Sequence, residues 1–358
     1  MKVGLLAYNL TSKHSGQTRF LVNLSKGVKS AGHYPVVFSL FCDSSISSIL
    51  NQYATRVHSL GLVGGKLLSI KSLTYRTDLA VKLAKLVRDN DTCDVYVVLA
   101  DEAIPVVKYL EGMKTVYITN GDLSLLFLNN EFRGHNKLVI PFLERDFVSQ
   151  IRKHSKLVSM FDRVIANSQF TSNLMAFLYG IPISDVVYPP VDQNFFIPKH
   201  KIEDAQPYAL AMVRHEMDPL YKTVSLIAKR VPVKVVGGAN VEGAQNMGFV
   251  TDDELQQLYS GAYVTLSPNT MEFYGYTIVE SMSCSTPSLA YNNAGARELV
   301  KDGLTGWLAK TQRDLVQQAI NLFVDGYDNE IRKNCIADSI RFGIPKSTES
   351  LLSVIRDL

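Results

Sequence analysis

The sequence predicts an α/β protein built as two Rossmann-like domains with parallel sheets, and three observations carry that expectation. Apolar runs of strand length, among them residues 2–8, 35–40, 115–119, 233–236 and 262–266, alternate with segments whose apolar residues recur at three and four. That is the pattern of strands joined by crossover helices. At 358 residues the chain is long for one core and suits two domains of ordinary size. Its composition, 46% hydrophobic and 20% charged, is that of a folded globular chain rather than a disordered one.

Residues 2–8 read as the first buried strand. Met1 leads straight into this run, which is too short for a secretory signal. A polar loop, 9–16, precedes a helix with Phe20, Leu21, Leu24 and Val28 on one face; Gly32 stops it and 35–40 resumes as a strand. This βαβ opening lacks the GxGxxG fingerprint, which argues against a dinucleotide, and no other cofactor is expected. Leu79, Leu83 and Leu86 mark a further helix. Residues 94–100 read as a buried strand ending at Asp101 and Glu102, and 115–119 as the next, ending at Asn120, Gly121 and Asp122. Groups at strand carboxyl ends line the ligand crevice of open α/β sheets, so Asp101, Asn120 and Asp122 are candidates to face it. Ordinary helix capping is the alternative for the acids, Glu102 included.

Residues 147–158 combine an apolar face with Arg152, Lys153, His154 and Lys156. The stretch suits a surface helix covering the sheet, or one that rests on a membrane or receives an acidic acceptor. Residues 1–190 hold 21 Lys and Arg against 14 Asp and Glu, a balance of +7; the remainder hold 16 against 20, or −4. A basic first half favours an acidic acceptor or peripheral contact with an anionic membrane, and a solvated face of no consequence is the competing reading. Without Lys/Arg runs interleaved with aromatics, nucleic acid is not an expected partner. No run reaches bilayer-spanning length. Cys42, Cys93, Cys284 and Cys335 show no CxxC spacing, which favours a reducing compartment over a zinc or disulfide framework. The expected location is cytoplasmic.

Tandem prolines at 189–190 stiffen the chain, and 199–206 has the polar composition of a linker. The expected organisation is a first domain over 1–190, a linker over 191–206, a second domain over 207–340 and a last helix within 341–358. The second domain opens with a strand, 208–213, followed by Arg214, an irregular polar loop, Lys222 and a helix to 230. The strand 233–236 runs into Gly237 and Gly238, a turn whose lack of Cβ lets another group approach the backbone. Thr251 with Glu254 three residues on is a capping box for the helix 254–259, not a metal-binding acidic motif, and no metal is expected.

The stretch from Asn269 to Asn293 organises the rest. It follows the strand 262–266, so 268–275 is the loop at that strand's carboxyl end. From Tyr276 the spacing turns helical, with Ile278, Val279 and Met282 inward and Glu280 early in the helix. A helix start offers unpaired N–H groups and a positive dipole end, which suit phosphate. One carboxylate, Glu272, therefore lies on the loop before a phosphate-ready terminus and another, Glu280, in the helix itself. A diphosphate carrying a sugar at each end fits that arrangement.

Glu272-Phe273-Tyr274-Gly275-Tyr276-Thr277-Ile278-Val279-Glu280, followed by Thr286-Pro287, resembles the signature of the retaining glycosyltransferases of family 4. Ala166-Asn167-Ser168, Tyr188-Pro189-Pro190-Val191-Asp192, Gly295-Ala296-Arg297-Glu298 and Gly303-Leu304-Thr305-Gly306 extend the likeness over most of the chain. The resemblance implies the GT-B fold, two Rossmann-like domains with parallel sheets facing across a cleft, and a terminal helix that crosses back to the first domain. It implies a nucleotide diphosphate sugar as donor and, as acceptor, a hydroxyl of a glycan, lipid or small molecule, with Asn120, Asp101 and Asp122 on the acceptor side. Glu272 would contact the donor sugar, and the backbone of Phe273, Tyr274, Gly275, Tyr276 and Thr277 the sugar and phosphates. Glu280 would hold the ribose, while Gly16 and Gly237 would lie near the donor and Phe249 and Val250 at the nucleobase. Arg214 and Lys222 would stabilise the leaving diphosphate, leaving Glu272, Arg214 and Lys222 as the catalytic set.

The chain departs from the family pattern at five points. Ser15-Gly16 stands for a Gly pair, Asn120 for a His, Val213 for a Gly before Arg214, and Ser285 for a Gly; Arg214 and Lys222 are also farther apart than is usual. The expected activity is transfer of a sugar with retention, the departing phosphate taking the acceptor proton on the same face. A GT-B sugar-nucleotide epimerase and a non-catalytic sugar-nucleotide binding protein are the alternatives.

Overall fold

A computed structural model describes residues 1–10, 15–61, 77–99, 101–121, 151–183, 185–201, 206–215, 218 and 220–358. The chain forms two compact units, Met1–Pro190 with Ile344–Leu358, and Val191–Gly343.

In chain order the first unit contains β1 (Lys2–Leu10), α1 (Gly16–Ser30), β2 (Tyr34–Cys42), α2 (Ser44–Tyr53), β3 (Arg56–Ser59), α3 (Thr77–Arg88), β4 (Val95–Val98) and a 3-10 helix (Asp101–Tyr109). It continues with β5 (Thr115–Thr119), α4 (151–158), β6 (Arg163–Ala166), α5 (Gln169–Tyr179) and β7 (Asp185–Val186). The strands form one sheet in the order β3-β2-β1-β4-β5-β6-β7, paired in parallel throughout. A parallel sheet covered on both faces needs strands that are apolar almost end to end, and β1, β2, β4 and β5 are buried that way. Side-chain caps start the helices: Ser15 Oγ accepts the Thr18 N–H (3.1 Å), Asp43 Oδ1 the Ser45 N–H (2.8 Å) and Ser168 Oγ the Thr171 N–H (3.1 Å). The helix Ile344–Arg356 completes this unit by packing on α1. Gly27 lets it approach, because a Cβ there would collide with Thr348 Oγ1 and lie 2.9 Å from Ile344 Cγ2.

Two readings are corrected in this unit. The strand expected over 94–100 is regular only over Val95–Val98, although the Asp94 and Leu99 N–H groups still bond across to β1 at 2.9 and 3.0 Å. Asp101 and Glu102 then open the 3-10 helix instead of ending a strand. The elements α2 and β3 were not expected at all. Of the basic stretch 147–158, residues 151–158 are helical, with Arg152, Lys153 and Lys156 exposed and His154 buried; its first four residues lie outside the described part.

The second unit contains β8 (Ala209–Met212), α6 (Leu220–Ala228), β9 (Val233–Val236), β10 (Gln245–Gly248), α7 (Asp252–Gly261), β11 (Val264–Ser267) and α8 (Tyr276–Ser283). After these come β12 (Ser288–Tyr291), α9 (Ala296–Leu299), β13 (Gly306–Ala309), α10 (Gln312–Asp325) and α11 (Glu330–Ser339). Its sheet runs β10-β9-β8-β11-β12-β13, again parallel at every pairing. Thr251 and Glu254 form both halves of the capping box on α7. At the other end of α7 a buried arginine, Arg332 of α11, donates to Ser260 O (3.3 Å), Ala262 O (3.0 Å) and Thr286 Oγ1 (3.1 Å). It thereby satisfies carbonyls that a helix terminus leaves open. The helix α8 ends in a Schellman motif: Ser285 N–H bonds Met282 O (3.0 Å) and Thr286 N–H bonds Ser281 O (2.9 Å). Ser285, the residue standing where the family pattern has Gly, takes φ +66°, the left-handed conformation that motif demands. The unit's two ends lie together, with Val191 N–H bonding Phe342 O at 2.9 Å. Among the described residues no helix is long and apolar enough to cross a membrane.

Candidate functional site

In the second sheet, β8 lies between β9 and β11, so chain connections leave it in opposite directions. This is the topological switch point of an open parallel sheet, where loops at the strand carboxyl ends part and leave room for a ligand. The loop after β8 carries Arg214 and the loop after β11 carries Glu272. Parallel pairing of Ala211 with Leu266 brings those two loops side by side.

A chain of hydrogen bonds holds Glu272. Its Oε2 accepts from Asn269 Nδ2 (3.1 Å) and its carbonyl from the Gly295 N–H (2.7 Å). Asn293 Nδ2 bonds Thr270 O (3.0 Å), tying the loop a second time to the segment after β12. Gly295 is required by contact rather than by conformation: its φ of −66° and ψ of −27° suit any residue, yet a Cβ would lie 2.6 Å from Phe273 O and 2.7 Å from Glu272 O. Burial pushes the Glu272 carboxyl up to about 7; the Asn269 hydrogen bond and the Arg214 charge oppose the rise, and the negative charge of Asp218 adds to it.

The loop then enters α8. Gly275 is its N-cap and no side chain caps the terminus. Tyr276 and Thr277, the first helical residues, are half-buried. Tyr274 is buried with its ring edge-on to Tyr276 (5.2 Å) and Phe342 (6.2 Å), so its side chain is a packing element and only its backbone remains for a ligand. Phe273 is half-buried. Glu280 is 3% exposed, and its Oε2 accepts from the Tyr259 hydroxyl at 3.1 Å.

On the Arg214 side, what approaches the two glycines is the chain's own backbone. A Cβ on Gly237 would collide with Val213 O, one on Gly238 would lie 2.6 Å from Arg214 O, and the Gly238 N–H bonds that carbonyl at 3.0 Å. Gly237 itself is at φ +123°. Phe249, 77% exposed, lies along the same turn, its ring within 3.4 Å of the position a Gly238 Cβ would take. Val250 beside it is half-buried. Lys222 is exposed on α6, and the charges acting on the Glu272 carboxyl are those of Arg214 and Asp218. The second unit thus sets the loops of Arg214 and Glu272 side by side, within reach of each other's charge, with Gly237 and Phe249 bracing the Arg214 side.

The remaining candidates belong to the first unit. Gly16 is the exposed first residue of α1. Asp101 Oδ1 accepts from the Tyr117 hydroxyl (2.5 Å) and more weakly from the Asn120 N–H (3.5 Å), while Asn120 Nδ2 bonds Leu99 O (2.6 Å). Asp101 and Asn120 therefore meet, but in bonds that tie β4 to β5. Burial raises the Glu102 carboxyl, opposed by its own backbone N–H and by the Gln17 side chain. Asp122 lies outside the described residues. Among the described residues no group of three His, Cys, Asp or Glu could hold a metal ion. Sequence reasoning gave no site role to Asn269, Asn293, Gly295, Tyr259 or Asp218. Of these Gly295 carries a local signal in its motif and Asp218 in an Asp-Pro pair just before a helix.

Residues 240–341 match the family model of the glycosyl transferases, group 1. The D-inositol 3-phosphate glycosyltransferase of Streptosporangium roseum is 25% identical over 202 residues, 45% of this chain and 46% of that protein. The enzyme of the same name from Thermobifida fusca is 27% identical over 199 residues, 44% of this chain and 46% of that protein. The chain thus spans about half the length of the curated relatives it matches. Two solved structures align over the whole chain. One is Anabaena Alr3699/HepE in complex with UDP, with a TM-score of 0.73 and 19% identity, covering 100% of both chains. The other is sucrose-phosphate synthase from Thermosynechococcus elongatus, with a TM-score of 0.75 and 14% identity, covering 100% of this chain and 98% of that one. With two parallel-sheet α/β units in this topology, the fold is GT-B.

Proposed function

We propose that the protein is a retaining glycosyltransferase, moving a sugar from a nucleoside diphosphate sugar to an acceptor hydroxyl. One observation carries this reading: the loops bearing Arg214 and Glu272 lie side by side at the switch point of the second sheet, the latter running into the uncapped start of α8. The match of residues 240–341 to group 1 glycosyl transferases supports it.

Glycosyl transfer passes through an oxocarbenium-like transition state while the leaving diphosphate gains charge. Arg214 and the α8 terminus stabilise that charge by standing in place before it develops, assisted by Lys222 from α6. Glu272 orients the donor sugar, and the leaving phosphate accepts the acceptor proton on the same face. Glu280, oriented by Tyr259, takes the ribose, and the exposed ring of Phe249 offers a face for the base. One structural neighbour, Anabaena Alr3699/HepE, was solved with UDP-glucose, so UDP-sugars are the first donors to try. The acceptor belongs to the first unit, whose basic balance suits an acidic molecule or an anionic membrane surface, and the site of action is cytoplasmic.

The test is incubation with UDP-, GDP- and ADP-sugars, with product anomers read by NMR. Transfer with retained configuration is expected. An epimerised donor without transfer, or binding without turnover, overturns the reading. Arg214→Ala should lower kcat at saturating donor, and Glu280→Ala should weaken nucleotide binding measured by calorimetry.

A further inference from the structure

We propose that Asp218 is a positioning residue: it clamps the backbone of Arg214 against the start of α6 and sets its negative charge beside the Arg214–Glu272 pair. The inference rests on the functional reading above, and extends it to a residue with no place in that reading.

Both carboxylate oxygens of Asp218 are committed to the backbone. Oδ2 accepts the Arg214 N–H at 3.2 Å and Oδ1 the Leu220 N–H at 3.0 Å. Its own N–H bonds His215 O (2.9 Å), and its carbonyl accepts the Tyr221 N–H (2.9 Å). The N–H groups of Arg214 and of Leu220, the first residue of α6, thereby share one carboxylate. From the other side, Gly238 N–H bonds Arg214 O and Ala239 N–H bonds Val213 O (3.3 Å). The backbone of Arg214 is thus held through both its N–H and its C=O.

An N-cap for α6 would need only the Leu220 bond, which Asn or Ser supplies equally well. The bond to the Arg214 N–H and the proximity to Glu272 are additional, and they make a charge here consequential. The charged groups acting on the Glu272 carboxyl are Arg214, which favours its ionised form, and Asp218, which opposes it. Asp218 therefore keeps Glu272 protonated to higher pH than Arg214 alone would allow. A glutamate titrating near neutrality can donate as well as accept a hydrogen bond to a sugar hydroxyl.

Asp218→Asn tests this. It preserves shape and the α6 cap but removes the charge and turns a donor toward the Arg214 N–H. Asp218→Ser is the companion, restoring the cap alone. Two readouts are taken on folded protein, verified by circular dichroism: the 13C-NMR titration of the Glu272 side-chain carboxyl, assigned with Glu272→Gln, and kcat against KM for a nucleotide sugar. The wild-type midpoint should fall near 7, and in both variants it should move down. The kcat should fall by about tenfold or more with donor KM little changed, the mark of a displaced transition-state contact. An unmoved midpoint or an unchanged kcat overturns the proposal and leaves Asp218 a helix cap. Should the wild type turn over no nucleotide sugar, it is the functional reading that falls, and the titration alone then decides whether Asp218 is coupled to Glu272.

Discussion

Replacing Gly295 by Ala isolates how far the loop carrying Glu272 depends on a close backbone contact. The backbone at Gly295 is right-handed helical, φ −66° and ψ −27°, so alanine brings no conformational strain and the effect is purely steric. Its Cβ would lie 2.6 Å from Phe273 O, 2.7 Å from Glu272 O and 2.9 Å from Phe273 C, where ordinary contact begins at 3.4 Å. All three are backbone atoms, so no rotamer change relieves the overlap and the loop must move by about 0.8 Å. The shift also strains the 2.7 Å bond from the Gly295 N–H to Glu272 O. Overpacking of this kind costs about 1–3 kcal/mol, which for a unit the size of Val191–Gly343 lowers Tm by roughly 2–4 °C per kcal/mol. Activity should suffer more, because displacing a positioning group by about 1 Å costs on the order of 100-fold in rate. Calorimetric melting and kcat with a nucleotide sugar measure the two effects. A variant with wild-type Tm and wild-type kcat would refute the idea that the segment after β12 sets the place of Glu272.

Four further outcomes are expected. Ser285→Gly should stabilise the protein by about 1 kcal/mol in urea denaturation, since it relieves a left-handed serine and removes a buried hydroxyl with no hydrogen-bond partner among the described residues. Arg332→Met should cost about 2–4 kcal/mol by the same measurement, because the carbonyls at the end of α7 lose their donors inside the core. Glu272→Gln should change the pH dependence of stability. The folded value near 7 lies above the ordinary 4.5, so the wild type is favoured below pH 4.5 and loses that advantage as pH rises through 7; glutamine does not titrate, and the variant should gain on the wild type by up to about 3 kcal/mol at pH 8. Gly27→Leu should destabilise the first unit by about 1–3 kcal/mol, read by hydrogen exchange in α1, since its side chain meets Thr348 and Ile344.

The strands were legible wherever burial on both faces writes an unbroken apolar run; Thr115–Thr119 and Val233–Val236 are found at the extent expected. Elements whose stability comes from elsewhere were not. The edge strand β3, Arg56–Ser59, has no fully buried residue and no alternation. In α2 only Ile46 and Leu50 are buried amid serines. The helix α11 buries Arg332, Cys335 and Ser339, so its inward face carries no hydrophobic stripe. At the candidate site, the loop and helix around Glu272 and the strand end at Arg214 each left a local pattern. Their meeting did not, since it depends on β11 pairing with β8 instead of with the strand before it in sequence. The contacts of Asn293 and Gly295 are invisible for the same reason: they join segments that only the folded sheet brings together.

The helix Ile344–Arg356 belongs to the first unit but is encoded after the whole of the second. On the ribosome, the described strands of the first sheet emerge with the side of α1 around Gly27 bare, while the second unit has all its residues available to fold. The second unit is therefore complete first, and the first is complete only when Leu351, Leu352 and Ile355 arrive to be buried. A stop codon shortly after Gly343 would do its damage at the opposite end of the polypeptide.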